Sequence, residues 1–242
     1  MAGTDRDGAG RPAGAARAGQ DLRFGSGPGA LVGYLAEPAS GHGPGVLVLQ
    51  EWWGLVDAIR DVCDRFARAG FVALAPDLYH GARTSDPGEA GRLMMDLDLP
   101  RAARDLEHAA EALLGRSSVT HPRVGCVGFC MGGQLALYAA TRTPRIGAVV
   151  DFYGIHPRVE LDLARLEAPV LGIFAERDEY VPPEAARRLE AELRAAGKRV
   201  QIRIYPGVDH AFMNDHRPDV FDAAAAARGW DEAIAFLRAE LG

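Results

Sequence analysis

The chain has 242 residues, and this length predicts a single domain. Its composition, 48% hydrophobic and 25% charged, excludes disordered, collagen-like and disulfide-scaffold proteins. The 27 basic and 33 acidic residues give a net charge of −6, without the basic excess of nucleic-acid-binding proteins. With only three cysteines and no secretory signal in the sequence, we expect reduced thiols and a cytoplasmic protein.

The first twenty residues are rich in Gly, Ala and Arg and lack the apolar run of a signal peptide. We therefore expect a flexible N-terminal tail over residues 1–20 and one domain over residues 21–242. Because no stretch approaches 18 consecutive apolar residues, the sequence predicts no membrane-spanning helix.

Short apolar runs then alternate with longer amphipathic segments. In chain order the pattern predicts strands at 31–36 and 46–50, a helix at 56–69, a strand at 71–75, helices at 87–97 and 102–114, a strand at 124–129, a helix at 131–141, strands at 148–153 and 170–174, a helix at 183–196, a strand at 201–205 and a helical segment ending at Leu241. This alternation predicts an α/β fold with a mostly parallel sheet, helices on both faces and function at the carboxyl ends of the strands.

The segment 124–133, Val-Gly-Cys-Val-Gly-Phe-Cys-Met-Gly-Gly, carries the most chemical information. An apolar strand runs into Gly-x-Cys-x-Gly and then into a helix of small residues, which is typical of a nucleophile elbow with cysteine in place of serine. This pattern predicts Cys130 as the nucleophile, at a helix N-terminus that favours a thiolate. The alternative is a small buried cysteine at a strand end. We expect Cys126 to pack in the core, because no second ligand pair supports a metal site.

A nucleophile elbow needs an acid and then a histidine further along the chain. Asp178 lies just beyond one predicted strand, and His210 lies in a glycine-containing loop directly after the last predicted strand. Their order behind Cys130 favours a catalytic triad. Four alternatives remain, two acids on the Asp178 loop and two histidines near possible site loops: Glu176, Glu179, His80 and His216.

Five motifs occur in order along the chain: Gln-Glu-Trp-Trp-Gly at 50–54, Ala-Pro-Asp-Leu-Tyr at 75–79, Gly-Phe-Cys-Met-Gly-Gly at 128–133, and the loops at 178–182 and 205–212. Together they resemble the dienelactone hydrolase family, the cysteine-nucleophile branch of the α/β-hydrolases. The resemblance implies an α/β-hydrolase fold from about Leu31 to the C-terminus. It implies these site residues: a triad of Cys130, His210 and Asp178, an oxyanion hole from the backbone N–H groups of Met131 and Trp52, and a glutamate, Glu51, that faces the thiol.

Substrate recognition is where the sequence departs from the family. Its members are thought to bind a substrate carboxylate with two arginines, at positions that hold Gly81 and Asn214 here. Arg83 and Arg217 lie close enough in sequence to substitute, because a long guanidinium side chain suits a carboxylate, although each alone is as readily a surface charge. His80 is another possible donor. Four aromatic residues near strand ends are expected to line an apolar pocket: Trp52, Trp53, Tyr79 and Phe212.

Three functions follow from these residues. The first is a hydrolase that opens enol lactones such as dienelactone, carboxymethylenebutenolide, through a thioester on Cys130. The second keeps the triad but acts on small neutral or prodrug esters. The third is a non-catalytic scaffold in which Cys130 is a redox-sensitive thiol, against which the complete Cys, Asp and His set argues. We expect a small-molecule ester or lactone as the partner, no cofactor, no metal ion, no nucleic acid, and either a monomer or a dimer.

Overall fold

The computed structural model of the chain describes residues 18–25 and 30–242. In chain order its elements are β1 (Gln20–Phe24), β2 (Leu31–Ala36), β3 (Gly45–Leu49), α1 (Asp57–Arg68), β4 (Val72–Pro76), α2 (Pro87–Asp96), α3 (Leu99–Leu114), β5 (Val124–Phe129), α4 (Met131–Arg142), β6 (Ile146–Phe152), β7 (Val170–Ala175), α5 (Pro183–Ala195), β8 (Val200–Tyr205) and α6 (Ala223–Leu241). Residues 1–17 of the predicted tail lie outside the described residues, and its last residue, Gln20, begins β1.

The eight strands form one sheet in the order β1-β2-β4-β3-β5-β6-β7-β8. β1 pairs antiparallel with β2, and β2 pairs antiparallel with β4, whereas the pairs from β4 to β8 are parallel. This confirms the predicted mostly parallel sheet. β1 was not predicted, because Gln20, Asp21 and Arg23 give it a polar composition and only Phe24 is buried.

Helices cover both faces of the sheet, which is why every residue of β3 to β7 is buried. One core packs α1 and α6 against the sheet, and the other packs α3 and α4. α3 begins three residues before the predicted start, because the Asp98 carboxylate accepts a hydrogen bond from the N–H of Arg101 and Pro100 fits the first turn.

The parallel order brings the carboxyl ends of β3, β5, β7 and β8 to one edge of the sheet, with β5 between the other three. The loops that carry Glu51, Cys130, Asp178 and His210 all leave the sheet at this edge. Within the described part of the chain, no helix is both long enough and apolar enough to cross a membrane.

Candidate active site

Cys130 forms the turn between β5 and α4. Its backbone has a φ of +53° and a ψ of −123°, a conformation that is strained for a residue with a Cβ atom. Three backbone hydrogen bonds hold it there: the N–H of Cys130 donates to the carbonyl of Phe152 (3.0 Å), and its own carbonyl accepts from Gly133 (2.9 Å) and Ile155 (3.2 Å). This is the sharp strand-to-helix turn that the Gly-x-Cys-x-Gly pattern predicts.

Glycines permit the close backbone packing around this turn. A Cβ atom at Gly128 would overlap the carbonyl oxygen of Gly132, and one at Gly132 would lie 2.5 Å from the carbonyl oxygen of Leu49. The end of β3 therefore touches the start of α4 directly. The segment that carries Trp52 therefore begins next to the segment that carries Met131. The family resemblance assigns the backbone N–H groups of these two residues to the oxyanion hole.

His210 and Asp178 form a hydrogen-bonded pair, with Nδ1 of His210 2.7 Å from Oδ2 of Asp178. The Asp178 side chain is completely buried. Its other oxygen, Oδ1, accepts hydrogen bonds from the backbone N–H groups of Tyr180 and Val181, each at 2.8 Å. Because both carboxylate oxygens are held, Asp178 fixes the orientation of the imidazole ring. Of the alternative acids, Glu176 accepts from the N–H of Gly207 and Glu179 is exposed.

His210 is coupled to the Cys130 sulfur. Burial alone lowers the pKa of His210, but hydrogen bonds to Asp178 and Cys130, together with their negative charges, outweigh it and raise the pKa to about 10. The imidazole therefore carries a proton at neutral pH. Cys130 itself is buried, with 7% of its surface exposed, so the imidazole is its neighbour in a largely solvent-free part of the site.

The other two candidate histidines have different partners. Nε2 of His80 lies 2.9 Å from the Asp105 carboxylate on α3, and Nε2 of His216 lies 2.9 Å from the Asp61 carboxylate on α1. Each contact ties a loop at the carboxyl edge of the sheet to a helix. His210 is the histidine that is coupled to the Cys130 thiol.

Glu51 is 3% exposed, and its Oε2 accepts a hydrogen bond from the Asn214 side-chain amide at 2.8 Å. Burial raises the pKa of Glu51, although the His210 charge, the Asn214 hydrogen bond and the Arg217 charge oppose this rise. The sequence analysis noted Asn214 only as a missing arginine. In the fold it is the residue that holds Glu51.

Two tyrosines beside His210 were also missed by the sequence analysis. The Tyr153 ring is fully buried 4.9 Å from the His210 ring, and its backbone has a φ of +43°. Burial raises the pKa of Tyr153, and the charges of Glu51 and Cys130 raise it further. Tyr180 lies 5.0 Å from the His210 ring and is 56% exposed. Tyr153 lies outside the five motifs, and Tyr180 lies within the 178–182 loop without a predicted role, so their positions in the fold place both at the site.

Asp151, at the carboxyl end of β6, is a buried acid beneath the Cys130 turn. Its Oδ1 occupies the space that a side chain at Gly133 or Gly154 would need. Both carboxyl oxygens are buried without a hydrogen-bond partner of normal geometry among the described residues. Burial raises the pKa of Asp151 to about 7, although the Gly154 backbone partly opposes this. No sequence motif indicated this residue.

An open cleft of about 740 Å³ lies next to these residues. Loops from both sides of β5 line it with these residues: Trp52, Trp53, Val56, Asp57, Ala58, Arg83, Thr84, Ser85, Pro87, Tyr180, Asn214, His216 and Arg217. The cleft thus brings Trp53, Arg83 and Arg217 together. It is more than three times the volume of the cavity of about 220 Å³ beside His80, and a concave site of this size at the carboxyl edge of the sheet suits a small-molecule ligand.

Two aromatic residues that were expected to line the pocket lie elsewhere. Phe212 is fully buried in the core, packed against Tyr153 and Tyr205, so the expectation that it contacts substrate is wrong. The Tyr79 hydroxyl lies 3.1 Å from Sδ of Met131, and Tyr79 lines a smaller cavity of about 220 Å³ beside His80. The charge of Cys130 contributes to raising the pKa of Tyr79, so Tyr79 lies near the thiol although it lies outside the cleft.

None of the three cysteines forms a disulfide bond, and Cys126 is fully buried in the core, as expected for that residue. Among the described residues, no three His, Cys, Asp or Glu side chains converge in a way that could hold a metal ion.

Known proteins resemble this chain over nearly its whole length. The sequence profile of the dienelactone hydrolase family matches residues 31–241. The protein usf of Aquifex pyrophilus is 38% identical over 227 residues, which is 91% of this chain and 98% of that protein. A protein of Aquifex aeolicus, provisionally named a carboxymethylenebutenolidase, is 35% identical over 92% of this chain and 99% of its own length.

The crystal structure of a protein from Klebsiella pneumoniae, provisionally named a dienelactone hydrolase, is 30% identical and superposes with a TM-score of 0.82, covering 91% of this chain and 98% of that one. An acylaminoacyl peptidase of Pyrococcus horikoshii, 17% identical with a TM-score of 0.73, covers 92% of this chain and 41% of its own and shares the α/β-hydrolase fold. Fold, site geometry and sequence therefore agree that the chain belongs to the dienelactone hydrolase family and is a hydrolase of carboxylic esters or lactones.

Proposed function

We propose that this protein is a cysteine-nucleophile hydrolase that opens enol lactones such as dienelactone, carboxymethylenebutenolide, through a thioester intermediate. The observation that carries the proposal is the position of Cys130. It lies on a strained turn at a helix N-terminus, coupled to a histidine that a buried aspartate holds at 2.7 Å. This arrangement supplies a nucleophile, a general base and a residue that orients the base.

In the first half of the reaction, Sγ of Cys130 bonds to the carbonyl carbon and the carbonyl oxygen becomes an oxyanion. The N–H groups of Met131 and Trp52 stabilise this charge. When the tetrahedral intermediate collapses, the bond to the leaving oxygen breaks and His210 transfers its proton to that oxygen. For a lactone the leaving group stays attached to the acyl chain, so the product of this step is a ring-opened thioester.

In the second half, neutral His210 removes a proton from a water molecule, and the resulting hydroxide attacks the thioester carbon. The C–S bond then breaks, its electron pair returns to Sγ of Cys130 beside the protonated His210, and the acid product gives its proton to solvent and leaves as a carboxylate. Glu51 is a further acidic group near this proton relay, because it is buried close enough to His210 for their charges to interact. We propose that Glu51, held by Asn214, helps to set the protonation state of His210 through the interaction of their charges.

Recognition of a substrate carboxylate falls to the cleft arginines. Arg83 is exposed and has no ion-pair partner in the described part of the chain, whereas Arg217 pairs with Asp219 at 2.6 Å. Of the two, Arg83 is therefore the better candidate to bind a carboxylate in a charge-assisted hydrogen bond. His80, the other possible donor, is engaged with Asp105 and lies at the smaller cavity.

A second candidate function is the hydrolysis of small neutral esters, and two observations favour it. A neutral amide, Asn214, holds Glu51, and the cleft walls include the apolar faces of Trp52, Trp53 and Tyr180. In this function Arg217 stays paired with Asp219, and the substrate needs no negative charge.

The deciding experiment is a substrate panel with three members: a carboxylated dienelactone, its methyl ester and a simple aryl acetate. We expect the wild-type protein to prefer the carboxylated lactone, and Cys130→Ala to lose at least about 10⁴-fold in kcat on all three. Intact-mass spectrometry of a quenched reaction should detect the acyl adduct on the wild-type chain and not on Cys130→Ala. Full activity in Cys130→Ala would overturn the triad, and preference for the methyl ester would favour the second function.

A further inference from the structure

The cleft lies beside the catalytic residues but does not contain them. The cleft lining does not include Cys130, Met131 or His210. It does include Trp52 and Tyr180, which also lie next to the catalytic residues. The rings of these two residues are 6.1 Å apart, and the Tyr180 ring lies 5.0 Å from that of His210. Trp52 and Tyr180 therefore form the boundary between the reacting atoms and the cleft.

The size and walls of the cleft suit a flat apolar group. A volume of about 740 Å³ falls in the range that accommodates drug-sized ligands, and it exceeds the needs of a single lactone ring. Trp52 and Trp53 meet edge to face at 5.1 Å, and the Tyr180 ring meets Trp52 edge to face at 6.1 Å. Aromatic walls of this kind stack against planar ring systems.

These walls are held in place by contacts within the protein. The N–H of Thr84 donates to the carbonyl of Trp53 at 3.2 Å, and a Cβ atom at Gly54 would lie 2.5 Å from the carbonyl oxygen of Ala82, so the loops after β3 and β4 are in backbone contact. On the other side, His216 binds Asp61 at 2.9 Å, which ties that wall to α1. A preformed cleft loses little entropy when it binds a ligand.

The position of His210 determines whether the acyl part or the leaving group of the substrate enters the cleft. This residue gives its proton to the leaving oxygen, so the leaving group must lie next to the His210 ring. Tyr180 packs on that ring and opens onto the cleft. A leaving group that extends away from its oxygen is therefore directed past Tyr180 toward Trp53.

Building on the proposed function, we infer that the cleft is a leaving-group site, and that the protein hydrolyses esters of planar aromatic alcohols of about two fused rings. The acyl part stays at Cys130 and the Met131 and Trp52 amides. Contact between the aromatic leaving group and the cleft then lowers the free-energy barrier of the acylation step. A substrate without that group makes no such contact, and its acylation is not accelerated by the cleft.

The test compares two acetates, 2-naphthyl acetate and phenyl acetate, which form the same acetyl thioester and differ in leaving-group size. We expect kcat/KM to be at least about tenfold higher for the naphthyl ester with the wild-type protein, because added apolar contact in a preformed pocket gives discrimination of this order. Trp53→Ala should reduce the ratio to below about threefold. Trp53→Phe, which keeps a ring, should retain most of the preference.

The matched control is Met95→Ala, which removes an exposed apolar side chain outside the cleft and should leave the ratio unchanged. Circular dichroism and thermal melting establish that each variant folds. A second series varies the acyl part, phenyl hexanoate against phenyl acetate, and should be insensitive to Trp53→Ala.

Two results would overturn the leaving-group site: a wild-type ratio near one, or a Trp53→Ala effect that follows the acyl chain instead of the leaving group. Either result leaves the proposed function intact if activity still depends on Cys130. Activity that survives in Cys130→Ala would instead overturn the proposed function.

Discussion

The site has two regions that are built in different ways. The first region, called here the floor of the site, consists of the turn at residues 128–133 together with His210 and Asp178. Backbone contacts and buried hydrogen bonds hold it in place. The cleft walls, loops 52–57, 83–87 and 214–217, instead present half-buried rings and accessible charges, and a backbone hydrogen bond between two of these loops and a few side-chain contacts, such as that of His216 with Asp61, hold them. We infer that changes in the floor impair the reaction or the fold, whereas changes in the walls alter the choice of substrate.

The largest expected effect in the floor comes from Asp178→Asn. Without the carboxylate, His210 loses the charge and hydrogen bond that raise its pKa, so kcat should fall about 10³- to 10⁴-fold. Steady-state kinetics on an aryl acetate measures this. The matched control is Asp209→Asn, next to His210 in sequence, whose carboxylate pairs with Arg177 at 3.1 Å at the surface; its kcat should stay within about twofold. A loss below tenfold in Asp178→Asn would contradict the role of this residue.

Gly128→Ala should destabilise the floor most. The added methyl group would overlap the Gly132 carbonyl, and neither backbone segment can yield, so we expect the free energy of unfolding to fall by about 4 kcal/mol or more. Gly91→Ala is the contrasting change beside the cleft wall, in the interior of α2 with its nearest neighbour, the Trp52 ring, 3.9 Å away. It should raise stability by about 0.5–1 kcal/mol. Urea unfolding of both variants measures the difference, and equal destabilisation would be evidence against the backbone contact.

Asp151 gives the floor a dependence on pH that the walls lack. Its pKa rises from 3.8 to about 7 on folding, so the native state binds more protons than the unfolded state between these values, and stability falls as pH rises through this window. Asp151→Asn removes this loss. Relative to the variant, the wild-type protein should lose about 3 kcal/mol of unfolding free energy between pH 5 and pH 8.

Urea unfolding at both pH values tests the Asp151 prediction. The control is Asp219→Asn, the partner of the wall residue Arg217, whose hydrogen bond lowers the pKa of this exposed carboxylate. Its contribution has the opposite sign and should be small, because solvent screens an exposed pair. A pH-independent difference between the wild-type protein and Asp151→Asn would show that Asp151 is ionised in the native state.

The smallest effect is expected at the wall arginines. Arg83→Ala should lower kcat/KM for a carboxylated lactone about five- to tenfold and leave the methyl ester unaffected. Arg217→Ala should have less effect, because Asp219 already neutralises that guanidinium. Both effects should weaken at high salt, since the groups are exposed. Equal losses on the charged and neutral substrates would mean that neither arginine binds the carboxylate.

The floor was largely predictable from the sequence because its residues act through local geometry. The Gly-x-Cys-x-Gly pattern specifies the turn at Cys130, and the order of the strands brings Asp178 and His210 to the same sheet edge. A sharp turn or a parallel strand leaves a pattern in nearby residues, which a single sequence displays.

The walls were less predictable because their residues depend on contacts between distant segments. Asn214 meets Glu51 across 163 positions of the chain, and His216 meets Asp61 across 155. Phe212 illustrates the resulting error: an aromatic residue beside the catalytic histidine suits either a pocket or the core, and only the packing of Tyr153 and Tyr205 places it in the core.

Because Cys63 and Cys126 are buried, alkylation of Cys130 can be used to count the molecules that have an intact active site. Cys63 and Cys126 are fully buried, and burial raises the pKa of Cys126, whereas Cys130 keeps 7% of its surface exposed and lies beside His210. A thiol-alkylating reagent should therefore add once to the folded chain and three times after unfolding, as intact-mass spectrometry would record. The fraction of chains with one adduct gives the concentration of working sites in any preparation, so rates of variants that fold incompletely can still be expressed per active molecule.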